Sequence, residues 1–174
     1  MLTRIGTTAS TPSDAVDLLV DCHARIRHFL ALARGIAERG PSEPAAVPEA
    51  AAAVVRYFTR ALPLHARDEE ESIVPRLRGR DPAVDRALEQ MLREHAEHDA
   101  PLGALVAACE ALARGAGRLA ELAPVVARET AALERHFEEH LRNEEAIVFP
   151  AMRRLLGAEA DAAIVRELRA RREP

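Results

Sequence analysis

A charged sequence pattern occurs twice in the chain, and it restricts the possible folds more than any other feature. Residues 64–75 read LHARDEEESIVP, and residues 139–150 read EHLRNEEAIVFP. His65 and Glu69 of the first copy match His140 and Glu144 of the second. Side chains four residues apart lie on the same face of an α-helix, about one turn from each other. Each copy therefore predicts a helix that directs an imidazole and a carboxylate toward one point.

Apolar residues at helical spacing surround both copies and continue through most of the chain. Ser13 and Asp14 suit the start of a first helix, and the Pro-rich stretch 41–50 precedes a second helix with Pro48 in its first turn. Asp81 and Pro82 suit the N-cap and first position of a third helix. We predict helices over residues 13–40, 48–78, 82–115, 120–149 and 159–171.

These helices predict an all-α protein with one domain. Four long helices with short connections favour an antiparallel up-down-up-down four-helix bundle, whose core is a natural place for metal sites. We expect residues 1–12 to form a flexible N-terminal tail and residues 13–156 to form the bundle. Residues 157–174 are expected to form a short C-terminal helix and tail.

The composition argues against several other kinds of protein. The formal net charge of -4, with no basic face, gives no sign of a nucleic-acid partner. No apolar run approaches the roughly 18 residues that a membrane helix needs, and the first residues lack the apolar core of a secretory signal. Cys22 and Cys109 lie in helical patterns and do not resemble a disulfide framework. We therefore expect a cytoplasmic protein without a membrane partner.

Histidines on the other two long helices complete a candidate metal site. His23 lies in the segment DCHARI, and His95 and His98 lie in REHAEHD. The spacing to the next His-x-x-x-Glu pair favours His98 as the counterpart of His23, whereas the local sequence pattern favours His95. Both histidines could also point inward, because they lie within one helical turn. Imidazole nitrogens and carboxylate oxygens together suit iron or manganese, with zinc as another possibility. Metal binding would remove the cost of burying unpaired carboxylates.

Several neighbouring residues have more than one possible role. Glu70 and Glu145 follow the glutamates of the repeat, and they could hydrogen-bond imidazoles, face solvent or pair with arginines. His136, one turn upstream of the second pair, could assist the site or be an ordinary polar residue. The arginines near the C-terminus, including Arg171 and Arg172, are expected to be ordinary charges at the end of a helix.

The arrangement resembles the hemerythrin-like, or HHE cation-binding, domain family. The resemblance covers residues 14–156 and rests on His23, the two His-x-x-x-Glu pairs, His95, and the Glu-Glu and Pro that recur in both copies. It implies a non-haem di-iron centre with histidine ligands from all four helices. Carried onto this sequence, Glu69 and Glu144 would bridge the two ions, and the terminal ligands would be His23, His65, His95 and His140.

The resemblance implies two iron ions (Fe²⁺/Fe³⁺), with manganese or zinc as possible substitutes. Two ferrous ions bring four positive charges; two carboxylates offset half of them, and an oxo bridge would offset the other two, or a hydroxo bridge one of them. If His98 also binds, the ligands are five histidines and two carboxylates, as in oxygen-carrying hemerythrins, although their third-helix histidines lie four residues apart rather than three. Without His98, the set is closer to family members linked to iron sensing or nitric-oxide stress.

The expected function is therefore binding of O₂, or of a related small ligand such as NO or peroxide, at the di-iron centre. One alternative is a di-iron stress enzyme that consumes peroxide or NO. Another is an iron-sensing or iron-storage module without catalysis. The sequence alone leaves these three functions open.

Overall fold

The described part of the chain is all-helical, as the sequence predicts. A computed structural model describes residues 14–173, so the predicted N-terminal tail lies outside the described residues. The helices are α1 (Ala15–Arg39), α2 (residues 47–77), α3 (Pro82–Ala113), α4 (residues 119–155) and α5 (Ala158–Ala170), with 3-10 turns at Pro44–Ala46 and Ala116–Arg118. None of the helices in this part of the chain is long and apolar enough to cross a membrane.

Two of the helices begin with a capping aspartate where the sequence predicts a helix start. The side chain of Asp14 accepts a hydrogen bond from the backbone N–H of Asp17 at 2.8 Å. The side chain of Asp81 accepts one from Ala83 at 2.8 Å, and Pro82 occupies the first helical position of α3. Each such cap satisfies a backbone N–H that the helix leaves free, which typically stabilises a protein by about 1 kcal/mol.

Helices α2 and α4 change their hydrogen-bond pattern where they carry the repeated sequence. Their α-helical turns are interrupted by π-helical segments at Tyr57–Ala61 and Asp68–Ile73 in α2 and at Glu144–Val148 in α4. A proline stands two residues after the end of each segment; in chain order these are Pro63, Pro75 and Pro150. A proline offers no N–H to the carbonyl four residues earlier. The wider π turn keeps the helix continuous across that gap.

This accommodation of proline makes α4 longer than predicted. The sequence pattern predicts that the fourth helix ends at Phe149, directly before Pro150. In the structure, Phe149 begins a further α-helical segment that runs to Leu155, with Pro150 in its first turn. Proline is tolerated in a first turn because the N–H there has no partner within the helix.

The helices pack into a bundle whose apolar core is divided in two. Helix α1 packs against α2 and α4, and α3 packs against the same two helices. One apolar cluster includes Ile26, Leu105, Leu133 and Leu141. The other includes Leu19, Leu77, Met91 and Met152. Each long helix passes from one cluster to the other through the stretch that carries its candidate ligand histidine, so the candidate site lies between them.

Helix α5 is attached to the second apolar cluster and confirms the predicted C-terminal helix. Its Ile164 and Leu168 are buried in that cluster. Arg76 of α2 forms two hydrogen bonds to Glu167 of α5, at 2.6 and 3.1 Å. The bidentate pair fixes the orientation of α5 against α2.

Candidate metal centre

The two His-x-x-x-Glu pairs of the repeat lie in the interior of the bundle. His65 Nε2 is 3.3 Å from Glu69 Oε1, and His140 Nε2 is 3.0 Å from Glu144 Oε1. Both glutamates lie in π-helical segments, and their side chains are 1% and 0% exposed. The repeat therefore places two carboxylates and two imidazoles in the same buried space.

Each glutamate also approaches a histidine from another helix. His23 Nε2 of α1 is 2.9 Å from Glu144 Oε2, and His95 Nε2 of α3 is 3.1 Å from Glu69 Oε2. The relation is the same in both halves, since each glutamate lies between the histidine of its own helix and one from a neighbour. This symmetry makes His95 the structural counterpart of His23.

The six side chains form two overlapping groups of potential metal ligands. One group contains His23, His65, Glu69 and Glu144, and the other contains Glu69, His95, His140 and Glu144. Within each group, one ligand atom from every residue lies within 4.8 Å of the others. Because both groups contain both glutamates, the arrangement fits two metal ions that share two carboxylates.

The hydrogen bonding of these side chains provides a test of whether a metal fits. Both carboxylate oxygens of Glu69 and of Glu144 are buried and lack a hydrogen-bond partner within the described residues, as do Nε2 of His23 and both ring nitrogens of His65. The close approaches between imidazole and carboxylate therefore lack the angles of hydrogen bonds. Leaving so many buried polar atoms unpaired is costly, and a bound cation would satisfy them.

Burial and mutual contact shift the pKa values of the same groups. Burial and the neighbouring Glu144 raise the pKa of Glu69 well above its usual value. Burial tends to raise the pKa of Glu144 too, but close contacts with His140 and His23 outweigh it and lower that pKa. Burial lowers the pKa of His65 to about 3, whereas in His140 the contacts with Glu144 outweigh burial and raise the pKa to about 9. Metal binding would displace the protons that Glu69 and His140 otherwise hold.

Three further glutamates hold the histidine rings in place. Oε1 of Glu145 lies 2.8 Å from Nδ1 of His23, and Oε1 of Glu70 lies 2.8 Å from Nδ1 of His95. Hydrogen bonding of imidazoles by Glu70 and Glu145 is one of the three roles that their positions in the sequence allow, and it is confirmed; Glu145 also pairs with an arginine, Arg27, at 3.0 Å. Such a bond fixes the ring orientation and leaves Nε2 free to bind a metal.

The third of these glutamates, Glu94, is not identified by the sequence analysis. Its Oε2 lies 2.8 Å from Nδ1 of His140. Glu94 directly precedes His95, whereas the residue before His23 is Cys22, so the repeat gives no sign of it. His65 is the counterpart of His140 in the repeat. Its Nδ1 has no hydrogen-bond partner among residues 14–173, because no glutamate stands at the position equivalent to Glu94.

We expect Glu94→Ala to weaken metal binding selectively at the position that contains His140. Loss of a carboxylate behind a metal-binding histidine typically lowers affinity about 10–100-fold. Calorimetric titration with Mn²⁺ should show one weakened step and one unchanged step. Glu97→Ala is the matched control, because Glu97 is exposed on the same helix. Equal weakening of both steps would contradict separate anchoring of the two positions.

The structure places His98 outside both ligand groups. His98 is buried, and its ring stacks on Phe137 with a centroid distance of 4.1 Å. Burial lowers the pKa of His98 to about 3. Metal binding by His98 therefore stays a prediction. The two ligand groups do not support it, because neither contains His98. His136 is exposed, and its ring centroid lies 6.1 Å from that of His98.

A cavity of about 640 Å³ reaches the candidate centre from the side of α2, α3 and α4. Four of the histidines border it: His65, His95, His98 and His140. Most of its remaining wall is apolar, with Phe58, Leu62, Leu102, Val106 and Phe137 among the lining residues. The cavity therefore offers a small molecule a route to the ligand groups.

Comparison with known families agrees with this geometry. The model of the Hemerythrin HHE cation binding domain matches residues 14–151, a range that includes all six residues of the two ligand groups. The chain belongs to the hemerythrin HHE cation-binding domain family, as its resemblance suggests. A search of curated proteins gave no match. The family establishes a domain that binds metal cations, and the grouped histidines and glutamates fit a site for two of them.

Proposed function

We propose that the protein is a non-haem di-iron protein that binds O₂, or a related small ligand such as NO or peroxide. The observation that carries the proposal is the pair of ligand groups that share Glu69 and Glu144. One ion would bind His23 and His65, and the other would bind His95 and His140, with both glutamates between them. The geometry favours this set of four histidines and two carboxylates.

Iron is proposed because of the chemistry of the donor atoms. Imidazole with carboxylate suits iron and manganese, and zinc accepts the same ligands. Two Fe²⁺ ions would bring four positive charges into the core, of which the carboxylates of Glu69 and Glu144 would neutralise two. When bound, two iron ions would supply the capacity to bind O₂ or NO and to exchange electrons with it.

We also infer that the four long helices alternate in direction, as an up-down-up-down bundle. Helix α3 has 32 residues, which corresponds to a length of about 48 Å. The three links between consecutive long helices, residues 40–46, 78–81 and 114–118, have at most seven residues and can each span at most about 25 Å. A link of that length can join neighbouring helix ends but cannot return along a helix.

The cavity supports the role of a small ligand. Its apolar walls would limit the access of bulk water to the buried carboxylates, which strengthens electrostatic interactions there. His98 adds a hydrogen-bonding group to the wall, near the ring of His140 at a centroid distance of 5.2 Å. These residues would select and orient a ligand rather than hold the metal.

The same centre and cavity would also serve the second candidate function, consumption of peroxide or NO. A water-sized molecule takes about 30 Å³, far less than the cavity of about 640 Å³. The space therefore accepts H₂O₂ as readily as O₂ or NO. An enzyme that consumes a peroxide would use the same six ligand residues and the same cavity.

Exposure of the anaerobic ferrous protein to O₂ tests the proposed function. A carrier should develop a visible absorption band that disappears when O₂ is removed, over repeated cycles. Peroxide or NO consumed faster than by free ferrous iron would instead support the enzyme. A protein that binds iron but responds to none of O₂, NO or peroxide would contradict small-ligand binding.

A further inference from the structure

The end of α5 is joined to the ligand segment of α2 through a buried carboxylate. Asp68 directly precedes Glu69, and its side chain is 0% exposed. Arg171 Nη1 donates to Asp68 Oδ1 at 2.9 Å, and Arg172 Nη2 donates to Asp68 Oδ2 at 2.6 Å. The sequence analysis expects these arginines to be ordinary helix-end charges, and the structure corrects that expectation.

Arg171 contacts several residues of the π segment Asp68–Ile73. Besides Asp68, it donates to Ser72 Oγ at 2.9 Å and to Glu71 Oε2 at 3.2 Å. Arg172 donates to the backbone carbonyl of Leu168 at 2.6 Å, which fixes its side chain to α5. The Arg171 side chain is only 13% exposed. Salt therefore screens its pairing with Asp68 much less than it would on the surface.

The second copy of the repeat shows that the π turn does not need a charge at this position. Asn143 takes the place of Asp68, directly before Glu144. It donates to the backbone carbonyl of Ala87 at 3.3 Å, and a π segment still begins at Glu144. The buried charge of Asp68 is therefore explained by its arginine partners rather than by the turn.

We propose that Arg171 and Arg172 are positioning residues that act through Asp68 to hold Glu69 at the metal centre. The proposal rests on the proposed function, because Glu69 belongs to both ligand groups. A π turn is rare and depends on its surroundings to persist. On this turn, α5 holds Asp68, and bound metal would hold the neighbouring Glu69. Loosening the turn would displace a ligand common to both ions, so both affinities would fall together.

The test compares Arg171→Ala/Arg172→Ala with Arg166→Ala/Arg169→Ala, which removes the same charge from exposed positions on α5. Calorimetric titration with Mn²⁺ measures affinity for each ion. Electron paramagnetic resonance of the Mn²⁺-loaded protein reports magnetic coupling between the ions. We expect the first variant to bind both ions about 10–100-fold more weakly, as when other metal-supporting residues are lost, and to show altered coupling. The control should match the wild type.

A third variant separates positioning from folding. Without its arginines, Asp68 would be a buried unpaired charge and could destabilise the protein. Adding Asp68→Asn to Arg171→Ala/Arg172→Ala removes that charge and reproduces the residue found in the second copy. We expect the melting temperature to recover and both metal affinities to stay low.

The outcomes distinguish this proposal from the proposed function. Recovery of the metal affinities together with the melting temperature would overturn a positioning role, as would wild-type affinity in Arg171→Ala/Arg172→Ala. In either case the wild type would still bind two ions, and the proposed centre would stand. A wild-type protein that binds neither Mn²⁺ nor iron would overturn both.

Discussion

Replacing Glu144 with alanine should abolish the binding of both metal ions. Glu144 contributes an oxygen to each ligand group, so its loss removes a ligand from both positions. His65 and His140 each belong to only one group. We therefore expect His65→Ala and His140→Ala to lose one ion each. Metal analysis of protein purified from iron-rich cultures measures the three stoichiometries directly.

Glu139→Ala is the matched control for this experiment, because Glu139 is exposed on the same helix. It should retain as much metal as the wild type. Retention of one full equivalent by Glu144→Ala would show that the two positions do not share this carboxylate. Loss of both ions from His65→Ala alone would contradict the separate assignment of the histidines.

Removing the metal should markedly lower the melting temperature. Both oxygens of Glu69 and Glu144 are buried without hydrogen-bond partners in the described residues, so a cation would relieve an unfavourable arrangement in the folded state. A ligand present at 1,000 times its Kd stabilises the folded state by about 4 kcal/mol. For a chain of this size, that free energy corresponds to about 10 °C in melting temperature. Thermal unfolding followed by circular dichroism, before and after chelation, measures the shift.

Two controls connect this shift to the proposed centre. Adding Fe²⁺ back to the chelated protein should restore the original melting temperature. Glu144→Ala should melt at the same temperature with and without chelator, because it binds no metal. Equal melting temperatures for chelated and metal-loaded wild-type protein would contradict a metal site in the core.

The sequence predicts most of the fold and of the grouped histidines and glutamates because both follow local rules. Asp14 and Asp81 mark helix starts through capping chemistry that depends only on neighbouring residues. Likewise, the spacing between His65 and Glu69 places both side chains on one helical face. Such features need no knowledge of how the helices pack.

The choice between His95 and His98 depends instead on helix packing. The two residues lie within one turn of α3, and either could face the interior. The rotation of α3 against its neighbours directs His95 toward Glu69 and places His98 against Phe137. The sequence does not predict the continuation of α4 beyond Pro150, because a π turn leaves no clear periodic pattern.

The contacts of Glu94 and Asp68 could not be predicted because they break the repeat. Glu94 has Cys22 as its counterpart, and Asp68 has Asn143. Glu94 contacts His140, and Asp68 contacts Arg171. Each partner is far away in the sequence. Only the folded arrangement brings each pair together.

Anomalous scattering at the iron edge, measured on crystals of protein purified without added metal, tests the central claim most directly. We predict two iron peaks, one beside His23 and His65 and the other beside His95 and His140, with Glu69 and Glu144 contacting both. A single peak, no peak, or a peak bound by His98 in place of His95 would contradict this assignment.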